Sequence, residues 1–301
     1  MNIDKPTLQA HAAFVQSDNR FQREARLLQS LWRERNELPI GQHRGQPLGS
    51  RLAMPFAQTT LAGYLTEGIR DVVRAEVLDR SASAGKLYAR PRIFEDLLSS
   101  QPMCFNLFGE LVLDLDLATS ALQALEPDIG QVETIRFEHS PGRGDAEYTG
   151  DRSAFDVFIE YTARDGARGF LGIEVKYHEA LRDKAATHKT RYDEVADKMG
   201  CFDPTSRASL RTQPLQQIWR DHLLAGSLLQ AGDFHRGCFV FLYPSRNQRC
   251  AAAVASYANA LTDPSTFRTW TLEAVLHALA ASTSAGWVAR FGERYLGTHT
   301  T

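Results

Sequence analysis

The stretch AFDVFIEYTARDGARGFLGIEVKYHE (154–179) contains two apolar runs, and each run is interrupted by charged residues. Asp156 interrupts the first run, and Glu174 and Lys176 interrupt the second. Charges inside buried strands cost free energy unless they are paired or bind a metal ion. The three charges therefore need partners, and the relative position of the two strands decides what those partners are.

The two runs are typical of strands near 154–162 and 168–176, and the loop between them sets their register. The segment Arg164-Asp165-Gly166 predicts a three-residue hairpin loop with Gly166 in the left-handed conformation that such loops favour. A two-residue turn at Asp165-Gly166 would shift the register by one and move the charges to different faces. The three-residue loop is our prediction.

The three-residue loop places Asp156 directly opposite Glu174, and Lys176 on the same face as Glu174. Directly opposed residues have Cβ atoms about 4.5–5.5 Å apart, so two carboxylates would repel unless a cation lies between them. A divalent metal ion, with Lys176 as a neighbouring positive charge, satisfies this requirement. A solvated sheet face that carries a Glu–Lys surface pair is the other interpretation, and the residues alone leave both open.

The rest of the chain predicts a mixed sheet flanked by helices. Helical periodicity runs through 56–80 and again from residue 100 to Pro127, while 41–50 is predicted to be a loop. Further predicted elements are a strand in QVETIRFEHS (131–140), a polar helix at 179–200, a helix in QQIWRDHLLAGSLLQ, a buried strand at 237–244, and helices through the final 50 residues.

The order and context of these residues resemble the PD-(D/E)XK nuclease superfamily, which has the restriction-endonuclease-like fold. Asp156 corresponds to the first acidic residue of the motif, and Glu174-Val175-Lys176 corresponds to (D/E)XK. The resemblance covers roughly residues 100–245, and FDVFIEY…GIEVKY…QIWRDHLLA also resembles uncharacterised bacterial proteins regarded as nucleases of this superfamily. Phe155 stands where the named motif has Pro, which is often missing in the superfamily.

The resemblance implies an α/β fold with an αβββαβ core and a division of the chain into three parts. Residues 1–95 would be a helical N-terminal extension, 96–250 the nuclease core, and 251–301 C-terminal helices packed on the core. All three parts would form one compact unit.

The resemblance also implies a reaction. Asp156 and Glu174 would bind Mg²⁺, or Mn²⁺, with the backbone carbonyl of Val175 as a further ligand, because hard oxygen ligands suit these ions. Lys176 would position or activate the attacking water. The reaction would be hydrolysis of a phosphodiester, expected in DNA, by an endonuclease that leaves 5′-phosphate and 3′-hydroxyl ends.

Several further residues are candidates for the site. Glu110 lies where the superfamily often has an extra acidic ligand, with Asp114 as the competing choice and an ordinary exposed Glu as the alternative. Gln217 and Arg220 share one helical face and would position the phosphate or the water, whereas Arg220 could instead pair with an acidic neighbour.

Other polar residues have two interpretations. His178 and His222 could transfer protons or bind metal, but isolated histidines are more often structural. Tyr177 and Trp219 are predicted to be packing residues. The arginines of the N-terminal region could contact a DNA backbone or form a salt-bridged helix with nearby glutamates; they are Arg20, Arg23, Arg26, Arg33 and Arg35.

The composition limits the remaining function classes. The formal net charge of -2 provides no global attraction to nucleic acid, so a polyanion site would have to be a local cleft. The four cysteines include no CxxC, and the N-terminus lacks a signal-peptide pattern; we expect a cytoplasmic protein with no membrane span, for which a homodimer is a candidate assembly. A hydrolase of another phosphodiester and a catalytically silent member that binds nucleic acid or protein are the alternatives.

Overall fold

The computed structural model describes residues 3–179, 181 and 185–298. The strands in this part of the chain are β1 (Ile40–His43), β2 (Gln46–Leu52), β3 (Ile129–His139), β4 (Phe155–Ala163), β5 (Arg168–Val175), β6 (Arg236–Tyr243) and β7 (Phe267–Thr271). The α-helices are α1 (Lys5–Ala10), α2 (Arg20–Arg35), α3 (Phe56–Thr60), α4 (Glu67–Val73), α5 (Arg92–Glu95), α6 (Ser100–Leu113), α7 (Leu115–Gln123), α8 (Thr190–Met199), α9 (Arg207–Leu210), α10 (Gln216–Ala231), α11 (Gln248–Ala258), α12 (Leu272–Ser282) and α13 (Gly286–Tyr295). A π-helical turn, Arg74–Leu78, follows α4, and a 3-10 turn, Pro204–Ser206, precedes α9. None of the described helices is long and apolar enough to cross a membrane.

The chain forms two compact units. The first comprises Met1–Leu113, Tyr177–Glu179 and Leu279–Thr301, and the second comprises Asp114–Lys176 and Ala180–Ala278. The boundaries of these two units differ from the boundaries after residues 95 and 250 that were expected from the sequence.

The first unit has α2 as a long helix with a well-defined start. Asn19 caps it, because its side chain accepts from the Gln22 backbone while the Gln22 side chain accepts from the Asn19 backbone. Two of its arginines are structural: Arg26 donates to Asp18 at 2.6 Å, and Arg33 donates to the carbonyl of Gly49 at 3.0 Å. Both side chains are buried, so these two residues have a structural role inside the fold rather than on a solvated helix face or at a DNA contact.

The first unit also contains a β-hairpin where a loop was predicted at 41–50. β1 pairs antiparallel with β2, and His43 faces Gln46 across a two-residue turn. Arg44 and Gly45 both have positive φ values, 52° and 76°, as a turn of this length requires. The loop prediction was wrong because β1 buries only Gly41 and so carries no apolar alternation that would indicate a strand.

The second unit is built on a five-stranded mixed sheet in the order β3-β4-β5-β6-β7. β3, β4 and β5 form an antiparallel meander, whereas β5, β6 and β7 run parallel to one another. The parallel pair β5–β6 is connected through α8 and α10, as a parallel crossover requires. This mixed sheet flanked by helices confirms the predicted fold class.

The register of β4 and β5 agrees with the prediction from the loop. Val157 pairs with Ile173 and Phe158 with Gly172. The Ala163 amide donates to the Ala167 carbonyl at 2.8 Å, and Gly166 has φ 84°, so the three-residue loop forms as expected. The antiparallel register continued by one pair places Asp156 opposite Glu174.

Aromatic and aliphatic side chains fill the core on one side of this sheet. Phe158 and Phe170 stack with ring centroids 5.5 Å apart and belong to a buried cluster with Trp219 of α10 and Tyr192 of α8. Trp219 is 1% exposed, which supports its predicted packing role. α10 ends at Gly232, which adopts the left-handed conformation with φ 81°.

Three helical predictions differ from the structure. The helix predicted from residue 100 to Pro127 is two helices, because Asp114 leaves the helical conformation and its side chain caps α7 at the Leu117 amide. The helix predicted at 179–200 is helical only over α8; residues 180 and 182–184 lie outside the described residues. The final 50 residues were predicted to be helical, and this prediction missed β7, because five residues are too few to show the alternation of a strand.

Candidate active site

Two carboxylates face each other at one end of the β4–β5 pair. Asp156 is the second residue of β4, and Glu174 is the second-last residue of β5. Asp156 Oδ2 accepts a hydrogen bond of 2.8 Å from the Val175 amide, which holds its side chain against the neighbouring strand. Glu174 is 5% exposed. The site therefore contains one buried and one half-buried carboxylate.

Lys176 and Gln217 both bind Glu174. Lys176 Nζ lies 2.5 Å from Glu174 Oε1, and Gln217 Nε2 donates to the same oxygen at 2.6 Å. Gln217 comes from the first turn of α10, so the helix that crosses between β5 and β6 also orients a carboxylate of β5. The structure thus brings together Asp156, Glu174, Lys176 and Gln217.

Val175 lies between the two charged residues of β5 and is fully buried. Its amide donates to Asp156 Oδ2, and the Lys176 amide donates to the carbonyl of Leu242 on β6 at 2.8 Å. These bonds fix the backbone on both sides of the Val175 carbonyl, which is the carbonyl predicted as a ligand.

The electrostatic field of the site disfavours negative charge. Burial, followed by the charge of Glu174, raises the pKa of Asp156 well above its ordinary value; Lys176 and the Val175 amide act in the opposite direction. Glu138 adds to the increase. Glu138 lies on β3 with φ 49°, an uncommon conformation for a residue with a side chain. Its proximity depends on the β3–β4 pairing, and the sequence carried no signal for it.

Asp221 is a further acidic residue of the site, and it was not among the residues predicted from the sequence. It lies on α10 one helical turn after Gln217 and is 6% exposed. Burial, followed by the charge of Glu174, raises the pKa of Asp221 well above its ordinary value, whereas Arg220 and Lys176 lower it. Its i, i+4 spacing from Gln217 was the available signal.

Arg220 is paired with an acidic neighbour, as one of its two interpretations proposed. Its Nη2 donates to Asp151 Oδ2 at 2.7 Å and to Ser153 Oγ at 2.8 Å. Burial would raise the pKa of Asp151, but the Tyr192 hydroxyl, the Ser153 amide and Arg220 lower it to about 2. This ion pair joins α10 to the segment before β4 and supports a structural role for Arg220.

The secondary acidic candidates belong to other local networks. Glu110 lies on α6 in the first unit, where its Oε1 accepts a short hydrogen bond from the Thr66 hydroxyl. Asp114 caps α7 through the Leu117 amide at 2.9 Å, which is a structural use of its carboxylate.

The histidine and tyrosine candidates are engaged in packing. His222 is fully buried between the Tyr257 hydroxyl and Thr266 Oγ1, each at 2.8 Å, and burial lowers its pKa to about 3. In the first unit His178 Nδ1 donates to the Leu98 carbonyl at 2.9 Å, and the buried Tyr177 hydroxyl donates to the Tyr295 carbonyl at 3.0 Å.

The donor set fits a hard divalent cation that keeps much of its own hydration. Among the described residues no three His, Cys, Asp or Glu side chains converge into a complete metal cage. Two opposed carboxylates remain, and Mg²⁺ is usually bound through one or two carboxylates with several waters retained. In addition, the buried Asp221 Oδ2 has no hydrogen-bond partner among these residues, and burial and the charge of Glu174 raise the pKa of both Asp156 and Asp221, as expected where acidic groups crowd together without a metal ion.

Comparison with known proteins identifies the family. No curated protein and no solved structure matches the chain. A sequence model of the PD-(D/E)XK nuclease superfamily matches residues 16–297, which is nearly the whole chain and includes Asp156, Glu174 and Lys176. With the mixed sheet and the opposed carboxylates, this match shows that the chain belongs to the PD-(D/E)XK nuclease superfamily.

Proposed function

We propose that the protein is a metal-dependent nuclease that hydrolyses phosphodiester bonds in DNA. One observation carries the proposal: Asp156 and Glu174 occupy opposed positions on β4 and β5, and Lys176 contacts the Glu174 carboxylate from two residues further along the chain. A solvated sheet face would not bury Glu174 to 5% exposure.

Asp156, Glu174 and the Val175 carbonyl would hold a divalent cation, Mg²⁺ or Mn²⁺. When bound, the cation would polarise a phosphoryl oxygen and lower the pKa of a water molecule. Gln217 fixes the orientation of Glu174 by donating to its Oε1.

Lys176 would bind and orient the attacking water and offset the charge that develops on the phosphate. Its ammonium lies in a site of low exposure, where a charge acts more strongly than in water. In-line attack on phosphorus would leave a 5′-phosphate and a 3′-hydroxyl, as in the superfamily.

The test is cleavage of supercoiled plasmid and of end-labelled single-stranded DNA with Mg²⁺ or Mn²⁺. Asp156→Asn, Glu174→Gln and Lys176→Met should each reduce cleavage by a factor of about 10² or more, because each removes a charge from the reacting centre. Glu160→Gln is the matched control: it lies on β4 and pairs with Arg136 at 2.8 Å, so its removal should leave cleavage unchanged.

Two results would count against the proposal. Cleavage that persists in Asp156→Asn would refute the assignment of the site. A wild-type protein that binds DNA but cleaves no DNA or RNA with either cation would instead indicate a catalytically silent binding protein, and binding measured by fluorescence anisotropy identifies that case.

A further inference from the structure

Asp221 is a buried carboxylate, and one of its oxygens has no partner in the part of the chain that the structure describes. The residue is 6% exposed, and its Oδ2 makes no hydrogen bond to any described residue. A buried carboxylate oxygen without a donor costs free energy, and a bound water molecule or ion is a common reason why natural proteins keep such a group.

The position of Asp221 connects it to the carboxylates of the sheet. It is four residues after Gln217 on α10, so the two side chains share one face of the helix. The Gln217 amide donates to Glu174 at 2.6 Å, which shows that this face of α10 is directed at Glu174. Asp221 therefore lies beside the metal site of the proposed function, on which this inference rests.

The protein cations around Asp221 are already engaged. Lys176 contacts Glu174 at 2.5 Å, and Arg220 donates to Asp151 and Ser153. Three acidic groups, Asp156, Glu174 and Asp221, thus lie near a single ammonium group. A divalent cation would supply the positive charge that their ionised forms require.

We propose that Asp221 is a positioning residue that accepts, through Oδ2, a hydrogen bond from the hydration shell of a divalent cation held by Asp156 and Glu174. A direct bond to the cation is not required, since no three acidic side chains converge into a metal cage among the described residues. Mg²⁺ and Mn²⁺ retain several waters, and the protein groups that hold those waters contribute to affinity.

The experiment measures Mn²⁺ affinity of the full chain without nucleic acid, from the electron paramagnetic resonance signal of free Mn²⁺. Asp221→Asn keeps the shape of the side chain and removes its charge. We expect the Kd for Mn²⁺ to rise about 10–100-fold in this variant, as for other groups that hold metal ligands from outside. Asp116→Asn removes an exposed carboxylate of α7 and should leave the Kd unchanged.

The same proteins are unfolded with urea in EDTA, because a merely structural Asp221 predicts the opposite result. On our proposal the urea midpoint of Asp221→Asn is equal to or above that of the wild type, since the replaced carboxyl group has no hydrogen-bond partner at Oδ2 among the described residues and so does not stabilise the metal-free fold. A wild-type Kd in Asp221→Asn would overturn the proposal, and so would a raised Kd that accompanies a lowered midpoint.

The outcome is separable from the proposed function. A wild-type protein that binds Mn²⁺, loses affinity on Asp221→Asn and yet cleaves no nucleic acid would refute nuclease activity and support this inference. A wild-type protein that binds no Mn²⁺ would refute both.

Discussion

Gly172 and Phe155 should be energetically coupled, because the phenylalanine that stands in the place of the motif's proline covers the glycine of the next strand. A Cβ atom on Gly172 would lie 2.5 Å from Cε1 and 2.6 Å from Cζ of Phe155. Ordinary contacts between carbon atoms are about 3.5–4.0 Å, so the ring would have to move by about 1 Å. Phe155 is fully buried and stacks with Phe158 at 5.8 Å, which leaves the ring little room.

The magnitude follows from two opposing contributions. Overpacking a core costs about 1–3 kcal/mol. Replacing a strand glycine with alanine stabilises the fold by about 0.5–1 kcal/mol, because alanine loses less backbone entropy on folding. We therefore expect Gly172→Ala to lower the free energy of unfolding by at most about 2.5 kcal/mol, with a central value near 1 kcal/mol.

A double-mutant cycle with Phe155→Leu isolates the clash. In the Phe155→Leu background the ring is gone, so Gly172→Ala should be neutral or stabilising, and the coupling free energy should be about 1–3 kcal/mol. Urea unfolding followed by circular dichroism measures the four proteins. Gly286→Ala is the control, because a Cβ there meets no atom within 4 Å.

The cycle also reports on the site, since Asp156 directly follows Phe155. Displacing the ring should move the Asp156 carboxylate, so cleavage should fall in Gly172→Ala and recover in part in the double variant. Equal costs of Gly172→Ala in both backgrounds would refute the packing of Phe155 on Gly172 described above.

Three further predictions concern the residues around the site. Gln217→Ala should lower kcat about 10–100-fold and change the free energy of unfolding by less than about 1.5 kcal/mol, because it removes one hydrogen bond to Glu174; an unchanged kcat in steady-state cleavage would contradict this. His222, with its pKa lowered to about 3, binds fewer protons in the folded than in the unfolded state, so stability is lost as pH falls below about 6.5. Between pH 7 and pH 5 this residue should account for a loss of about 2 kcal/mol in urea unfolding, a difference that His222→Gln should remove; an identical pH dependence in the variant would argue against a neutral buried His222. Arg220→Ala should lower the free energy of unfolding by about 1.5–3 kcal/mol, because it leaves Asp151 without its cation, and the loss should be smaller in an Asp151→Asn background. Additive losses in the double variant would show that the pair does not interact.

The local sequence was sufficient where short-range chemistry decides the structure. Gly166 adopts the left-handed conformation that a three-residue loop requires, and this loop sets the register of the two strands. The opposition of Asp156 and Glu174 could therefore be predicted from about twenty residues. Strand alternation also predicted that Lys176 lies on the same face as Glu174, and the two side chains are in contact. Gln217 could be put forward only by family resemblance, since its contact spans 43 residues of chain.

Tertiary structure decided the features that depend on distant partners. Arg220 had two interpretations in the sequence, and only the folded chain showed that Asp151, 69 residues away, takes its guanidinium. β7 was missed because five residues are too few to show the alternation of a strand. Its conformation is recognised only from its pairing with β6. Asp221 looked like any acidic residue of an amphipathic helix until the fold buried it beside two other carboxylates. Periodicity records which face of an element is apolar, whereas the charge balance of a site depends on which elements meet, and that is known only from the packed structure.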